Sequence, residues 1–393
     1  MAFASGPVSF QRFFISGPMP DEISDAFLDA LNQKSFGKLG PLPDDTQLGW
    51  VGPRHVFETE IAAEHVSFGR FAHAGLRVDR LRAPANVLKS YVQIEKEAAL
   101  QVAGREYLSR GELKNARQRA VDRAEAEARS GSFRRISAYP VLIDLSDRTV
   151  YLGNTSPTLA DKLMQLFNDT FGCALEPGGP ERVALRLLSA ARNEQALDKL
   201  TPFRLVHAPE GFDGDDARFE RDLSYLGKEF LTWLWFQTDR DAGPLRVQTG
   251  DEVTVMLDRT LALKCDFGLT GSDVINCDGP TRLPEARSAL RIGKQPTRAG
   301  LIVGGPLGEF RFTLDGPRWT LSSLALPESE ADRGERERVE QRFELVADAA
   351  ALIDALFDIF LQKRSGRAWE GELREMRAWA SGTPTQTALP MPA

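Results

Sequence analysis

No apolar run in this chain approaches the ~18–20 residues that cross a bilayer. The densest, Phe230-Leu-Thr-Trp-Leu-Trp-Phe236, is far shorter, so no membrane-spanning helix is expected. The first residues, MAFASGPVSFQRFF, lack a basic segment followed by an apolar one, so no secretory signal is expected. Cysteine is scarce. Cys173, Cys265 and Cys277 are odd in number and widely spaced. That disfavours a disulfide framework and fits a reducing cytoplasm. Each thiol is expected to be a small buried side chain. His55, His65, His73 and His207 are far apart, and none stands at a zinc spacing from a cysteine.

Catalytic signatures are missing as well. The chain has no Gly-x4-Gly-Lys-Ser/Thr, no GxGxxG and no GxSxG. Gly304-Gly-Pro-Leu-Gly308 reads as a hairpin turn, because Pro306 removes an amide from any phosphate nest. Asp213-Gly-Asp-Asp216 lacks the later Glu of a calcium loop and reads as a solvated turn. No cofactor and no catalytic residue is expected. A metal-dependent hydrolase or nuclease using Asp213, Asp215 and Asp216 is the minor alternative.

What is present is a core-forming composition. The 393 residues are 42% hydrophobic and 27% charged, enough for two to three domains. The net charge of −7 argues against a protein that coats nucleic acid with its whole surface. A phosphate site needs only a local positive field within a Debye length of ~8–10 Å. The useful question is where the positive charge collects.

Periodicity gives the elements. Residues 8–15 read as a strand and 21–33 as a helix with Ile23, Phe27 and Leu31 on one face. Residues 49–53 read as a turn, and 56–61 and 68–79 as strands. From Asn86, Val87, Tyr91, Ile94 and Ala98 recur at helical spacing, and the register runs on to Leu108. Ser109-Arg-Gly-Glu112 has the spacing of a capping box. A second helix, 112–129, carries Leu113, Ala116, Ala120, Ala124 and Ala128. Together they predict an antiparallel helical hairpin whose first arm is about 34 Å long at ~1.5 Å per residue. Residues 139–145 and 149–153 then read as a β-hairpin, followed by a helix over 157–171 with Leu159, Leu163, Leu166 and Phe167 inward.

The same strand–turn–strand–helix order recurs at 309–314, 319–324 and 337–363, after a polar linker at 328–336, and points to an internal duplication. Between them, Leu223, Leu226, Phe230 and Leu234 have helical spacing, so the aromatic cluster is expected to be buried. Residues 253–257 and 261–267 read as two strands. The tail after Gly382 is Pro/Thr-rich and reads as disordered.

The expected fold class is α+β: β-hairpin/helix units with an inserted long antiparallel helical hairpin. The expected domains are 1–85 with 137–178, the hairpin 86–136, a central mixed region 179–300, a C-terminal hairpin and helix 301–365, and an extension 366–393.

Positive charge collects in one place. Residues 105–135 carry nine basic side chains, Arg105, Arg110, Lys114, Arg117, Arg119, Arg123, Arg129, Arg134 and Arg135, against five acids. The segment is +4 and the rest of the chain −11. Arg110, Lys114 and Arg117 fall at i, i+4, i+7 on one face. Arginine meets phosphate with a rigid fork of donors. Nothing in the pattern supplies base readout, so sequence-independent, salt-sensitive binding is expected. A solvated hairpin, or an arm that docks an acidic protein surface, would carry the same charges.

Several stretches together resemble the recombination-associated RdgC family. They are Leu48-Gly-Trp-Val51 with Pro53; Pro84, Val87, Leu88 and Lys89; Phe133-Arg-Arg135 followed by Leu142-Ile-Asp144; Arg291-Ile-Gly-Lys294 with Thr297-Arg298; and Arg342-Phe343 with the helix over 349–361. The likeness covers 1–175 and 280–363. It implies a non-enzymatic, ring-shaped homodimer on double-stranded DNA, cytoplasmic and nucleoid-associated, that antagonises RecA-driven strand exchange. It further implies Lys294 and Arg298 on a DNA-facing surface and Phe133 at the dimer interface. The chain departs from the family at Gly279-Pro-Thr-Arg282, in its Arg-rich hairpin tip, in extra length over 200–280, and in about 30 residues beyond the family's end.

Overall fold

In the computed structural model the described residues are 3–40, 42, 46–206, 223–240, 243–265, 267, 271–327 and 334–382. The first half of the chain forms β1 (Val8–Ser16), α1 (Asp25–Gln33), β2 (Thr46–Val51), α2 (Ala63–Val66), β3 (Ser67–Phe68), β4 (Phe71–Arg80), α3 (Ala85–Ala103) and α4 (Arg110–Arg129). Then come β5 (Arg135–Asp144), β6 (Thr149–Leu152), α5 (Pro157–Phe171), β7 (Ala174–Pro177) and α6 (Pro180–Ala190). The remainder forms α7 (Tyr225–Asp239), β8 (Leu245–Arg246), β9 (Glu252–Cys265), β10 (Ser272–Cys277), α8 (Pro284–Arg291), β11 (Lys294–Gly305), β12 (Gly308–Asp315), β13 (Thr320–Ala325), α9 (Glu335–Ser365) and α10 (Trp369–Ser381). The fold is α+β, with antiparallel sheet pairing throughout the registers below.

The chain divides into two units. One holds Ser16–Asp147 and Thr158–Ala174. Its sheet runs β2-β4-β5, with β3 also on β4. One face carries α5: Trp50 Nε1 donates to Thr170 Oγ1 at 2.8 Å, and Lys162 Nζ donates to Thr46 Oγ1 at 2.8 Å. The leucine and phenylalanine stripe expected on α5 is buried. The other face receives the backbone at Phe36, and a Cβ on Gly49 would lie 2.6 Å from its Cα. Gly49 therefore belongs to a strand, not to the turn expected at 49–53; the close backbone approach is what demands glycine there.

Residues 56–61 are not the expected strand. Asn32 closes on the backbone of Ile61 in both directions, with Ile61 N at 2.9 Å and Ile61 O at 2.8 Å, and buried Glu58 takes Arg54 N at 3.0 Å. These bonds fold the segment into a pinned loop. Helix α1 starts at Asp25 rather than 21, because Ser24 is its N-cap and accepts from Phe27 N.

The other unit holds Ala2–Ile15, Arg148–Pro157 and Leu175–Ala393. Its sheet order is β10-β9-β11-β12-β13-β1-β6, with β8 beside β9. The two strands expected at 253–257 and 261–267 are one, β9. A bulge at Arg259, with φ 59°, breaks the alternation without breaking the strand. Phe230, Trp233, Trp319, Phe357 and Phe360 pack as one cluster, so the aromatic run of α7 is core, as expected. Arg12, on β1, pairs with Asp354 of α9. Helix α9 begins at Glu335, two residues before the expected start, after Gly334 as N-cap. Residues 328–333 of the expected linker, His207, the Asp213–Asp216 loop and the tail after Gly382 lie outside the described residues. Cys173 and Cys265 are buried and Cys277 is half-buried, and none of the three is in a disulfide. No helix among the described residues is long and apolar enough to cross a membrane.

Candidate nucleic-acid interface

The helical hairpin forms where expected. Helix α3 follows Pro84 and ends at Gly104, whose φ of 59° is the left-handed conformation that closes a helix. Its first arm is therefore 19 residues long rather than reaching Leu108. The turn at the tip is held by the expected capping box. Ser109 Oγ accepts from Glu112 N at 3.3 Å, and Glu112 Oε2 accepts from Ser109 N at 2.8 Å. The hydrogen bond from the Ser109 hydroxyl holds the Glu112 carboxyl below its ordinary range. Arg105 also pairs with Glu112.

Ala116, Ala120, Ala124 and Ala128 are buried, and a stripe of small residues lets the two helices approach closely. The expected α3 stripe holds at its start and drifts further on. Val87 and Tyr91 are half-buried, Ile94 and Ala98 are exposed, and the half-buried face also takes in Leu88, Val92, Glu95, Lys96, Ala99 and Leu100. Glu95 and Lys96 are half-buried, so part of this face is polar by residue type. Leu113 is also exposed. Tyr91 donates to Glu127, and the Arg123 guanidinium lies 4.3 Å from the Tyr91 ring centroid.

The cations of α4 fall into two groups. In the half near the root they are neutralised: Arg123 pairs with Glu127 at 3.3 Å and Arg129 with Glu125 at 3.4 Å. Nearer the tip, Arg110, Lys114, Arg117 and Arg119 are all exposed, and none has an ion pair among the described residues. Arg110, Lys114 and Arg117 share a face. Arg119 is nine residues from Arg110, about 180° around the helix, and serves the opposite side.

The remaining expected site residues have different fates. Arg134 Nε bonds buried Asp79 at 2.6 Å, beside Arg77, which grips the same carboxylate at 2.9 and 2.8 Å. Arg134 is thus tied into the root of the hairpin. Phe133 is half-buried just before it. Arg135 is exposed at the first position of β5. Lys294 and Arg298 belong to the other unit, on β11. Lys294 is 5% exposed and bonds Asp273 at 2.7 Å, so it is not the surface cation expected of it. The edge strand β10 supplies the acid that sequence could not place. Arg298 is more than half exposed, with Asp315 at 3.9 Å.

Sequence reasoning missed Arg80 and Arg82. Both are exposed, at the end of β4 and in the entry to α3. They lie outside the 105–135 charge count, and only strand register relates Arg80 to Arg135. Among the described residues no three His, Cys, Asp or Glu side chains come together as a metal-holding group. No family model matches the chain, and no curated protein matches it.

Proposed function

We propose that this chain is a non-enzymatic, sequence-independent double-stranded-DNA-binding protein of the RdgC kind, a cytoplasmic homodimer associated with the nucleoid that modulates RecA-dependent recombination. The observation that carries the reading is the unneutralised tip. A chain of net −7 keeps Arg110, Lys114 and Arg117 exposed on one face with no ion pair among the described residues, while further along the same helix it pairs Arg123 and Arg129. Repulsion among three like charges is stable only because solvent, or a polyanion, screens it. The order of motifs around the hairpin, from Pro84 to Phe133-Arg-Arg135, supports the family assignment.

Replacing Arg110, Lys114 and Arg117 together by Glu is expected to abolish a duplex gel shift while leaving the circular dichroism spectrum intact. Unchanged affinity would remove the hairpin from the interface. Wild-type affinity should also fall steeply between ~50 and ~200 mM salt, as for any phosphate-dominated contact.

A second reading, a module that docks a recombination or phage protein, is favoured by a different observation. Val102 is 91% exposed and Tyr107 80%, and Ile94 and Leu113 are also open. Phosphate contact has no use for such groups. Capture of a partner that survives nuclease treatment and is lost in Val102→Ser/Tyr107→Ser would support this reading. A carboxylate-based hydrolase would reveal itself by metal-dependent DNA cleavage lost on changing Asp213, Asp215 and Asp216 to Asn.

A further inference from the structure

The root of the hairpin carries a second cluster of cations, built by strand register rather than by sequence proximity. Arg80 and Arg135 are direct cross-strand partners on β4 and β5. In an antiparallel pair such residues share a face, with their Cβ atoms about 4.5–5.5 Å apart. Both are exposed, and neither has an ion pair among the described residues. Like charges set directly opposite one another are unfavourable in a sheet. The row continues onto β2, where Thr46 opposes Arg80. Thr46 accepts from Lys162, a buried cation on the same face. Asp79 points to the opposite face, where it already accepts from Arg77 and Arg134, so it does not neutralise Arg80 or Arg135.

We infer that Arg80 and Arg135 form a phosphate-binding site at the hairpin root, and that with the Arg110/Lys114/Arg117 face they make a two-point contact along one duplex. The inference rests on the DNA-binding reading and adds a geometry to it. The hairpin lies along the phosphate backbone instead of entering a groove end-on.

Two guanidinium forks at cross-strand separation can take the non-bridging oxygens of a phosphodiester from both sides. The distance to the tip follows from the helix. Arg110 and Arg129 are 19 residues apart on α4, which is about 28 Å at ~1.5 Å per residue. Along B-DNA that is roughly eight base pairs at ~3.4 Å per step. Arg117, the member of the tip face nearest the root, is 12 residues from Arg129, about 18 Å or five base pairs, so a duplex of six base pairs on the root reaches Arg117 at most and not Arg110.

The test measures fluorescence anisotropy of labelled 6-, 12- and 20-base-pair duplexes on the full chain, comparing wild type, Arg80→Gln/Arg135→Gln, and Arg110→Gln/Lys114→Gln/Arg117→Gln. Both root residues are exposed, so the root variant is expected to melt as wild type does, and a melt on each sample checks this. On 20 base pairs the root variant should bind on the order of tenfold more weakly. Its log–log salt slope should be shallower by about two, since each phosphate contact contributes about 0.9. On 6 base pairs, root and tip variants should each lose less than on 20, because so short a duplex cannot engage the root and the whole tip face at once. If the root variant binds 20 base pairs with wild-type affinity and slope while the tip variant is impaired, the root site is wrong and the DNA-binding reading stands. An equal loss at every length overturns the two-point geometry. If wild type binds no duplex, the DNA-binding reading and the root site fall together.

Discussion

At the residue scale, two buried titratable groups oppose one another in pH. Glu229 accepts from Phe203 N at 2.6 Å and from Arg364 Nε at 2.9 Å, and Arg364 also donates to Thr201 O. Burial pushes the Glu229 carboxyl up to about 7, although Arg364 pulls the other way. A carboxyl raised in the folded state binds its proton more tightly there than in the unfolded chain. Its contribution to stability is therefore complete below the ordinary value of 4.5 and is lost as pH rises through about 7. Burial lowers His73 from 6.5 to about 3. That contribution is complete above 6.5 and is lost as pH falls toward 3. Between pH 4.5 and 6.5 the two slopes oppose and cancel, so urea midpoints of the wild type should be nearly flat there. Glu229→Gln should leave a midpoint that rises with pH up to about 6.5, and His73→Gln one that falls with pH up to about 7, so the alkaline limb is the fall that Glu229 brings. If Glu229→Gln leaves the alkaline limb unchanged, Glu229 is not the group responsible.

At the scale of the element, the hairpin depends on small side chains and one turn. Ala120 is fully buried between α3 and α4. Ala120→Leu would wedge the helices apart, at a cost of about 1–3 kcal/mol. The loss should appear as faster proteolysis within residues 85–129. Ser109→Ala should remove about 1 kcal/mol through the lost cap. Local hydrogen exchange at the first turn of α4 would read it, and unchanged exchange there would make the capping box irrelevant.

The same element shows what sequence could reveal. Ser109 and Glu112 were legible because a capping box is a local, four-residue motif, and the alanine stripe because its spacing is regular. The later part of the α3 face was not, because Glu95 and Lys96 are half-buried there and hydropathy counts only their charged ends. Lys294 and Arg134 looked like free cations because their acids are remote in sequence: Asp273 is on β10, two strands from β11 in the sheet, and Asp79 is on β4, across the hairpin. Arg80 was overlooked for the mirror-image reason: its like-charged neighbour Arg135 is 55 residues away and meets it only through register.

At the scale of the whole molecule, a ring-shaped dimer of the kind the resemblance implies would have a topological signature. Mass measurements in solution should give a dimer. If that dimer closes around DNA, linear duplex should be threaded and lost from its ends under salt challenge, whereas closed circular duplex should retain what has already been loaded. Equal retention on both would argue for an open clamp.

The uneven neutralisation of α4 bears on how an encounter begins. A segment of +4 belongs to a chain that is otherwise −11. In the field of a polyanion such a molecule feels a torque as well as a net force. The repelled remainder turns away while the hairpin turns inward, so the productive orientation is selected during approach. Diffusional steering of this kind weakens as ions screen the field. The association rate constant should therefore fall with added salt, and reversing the tip charges should slow arrival before it shortens residence.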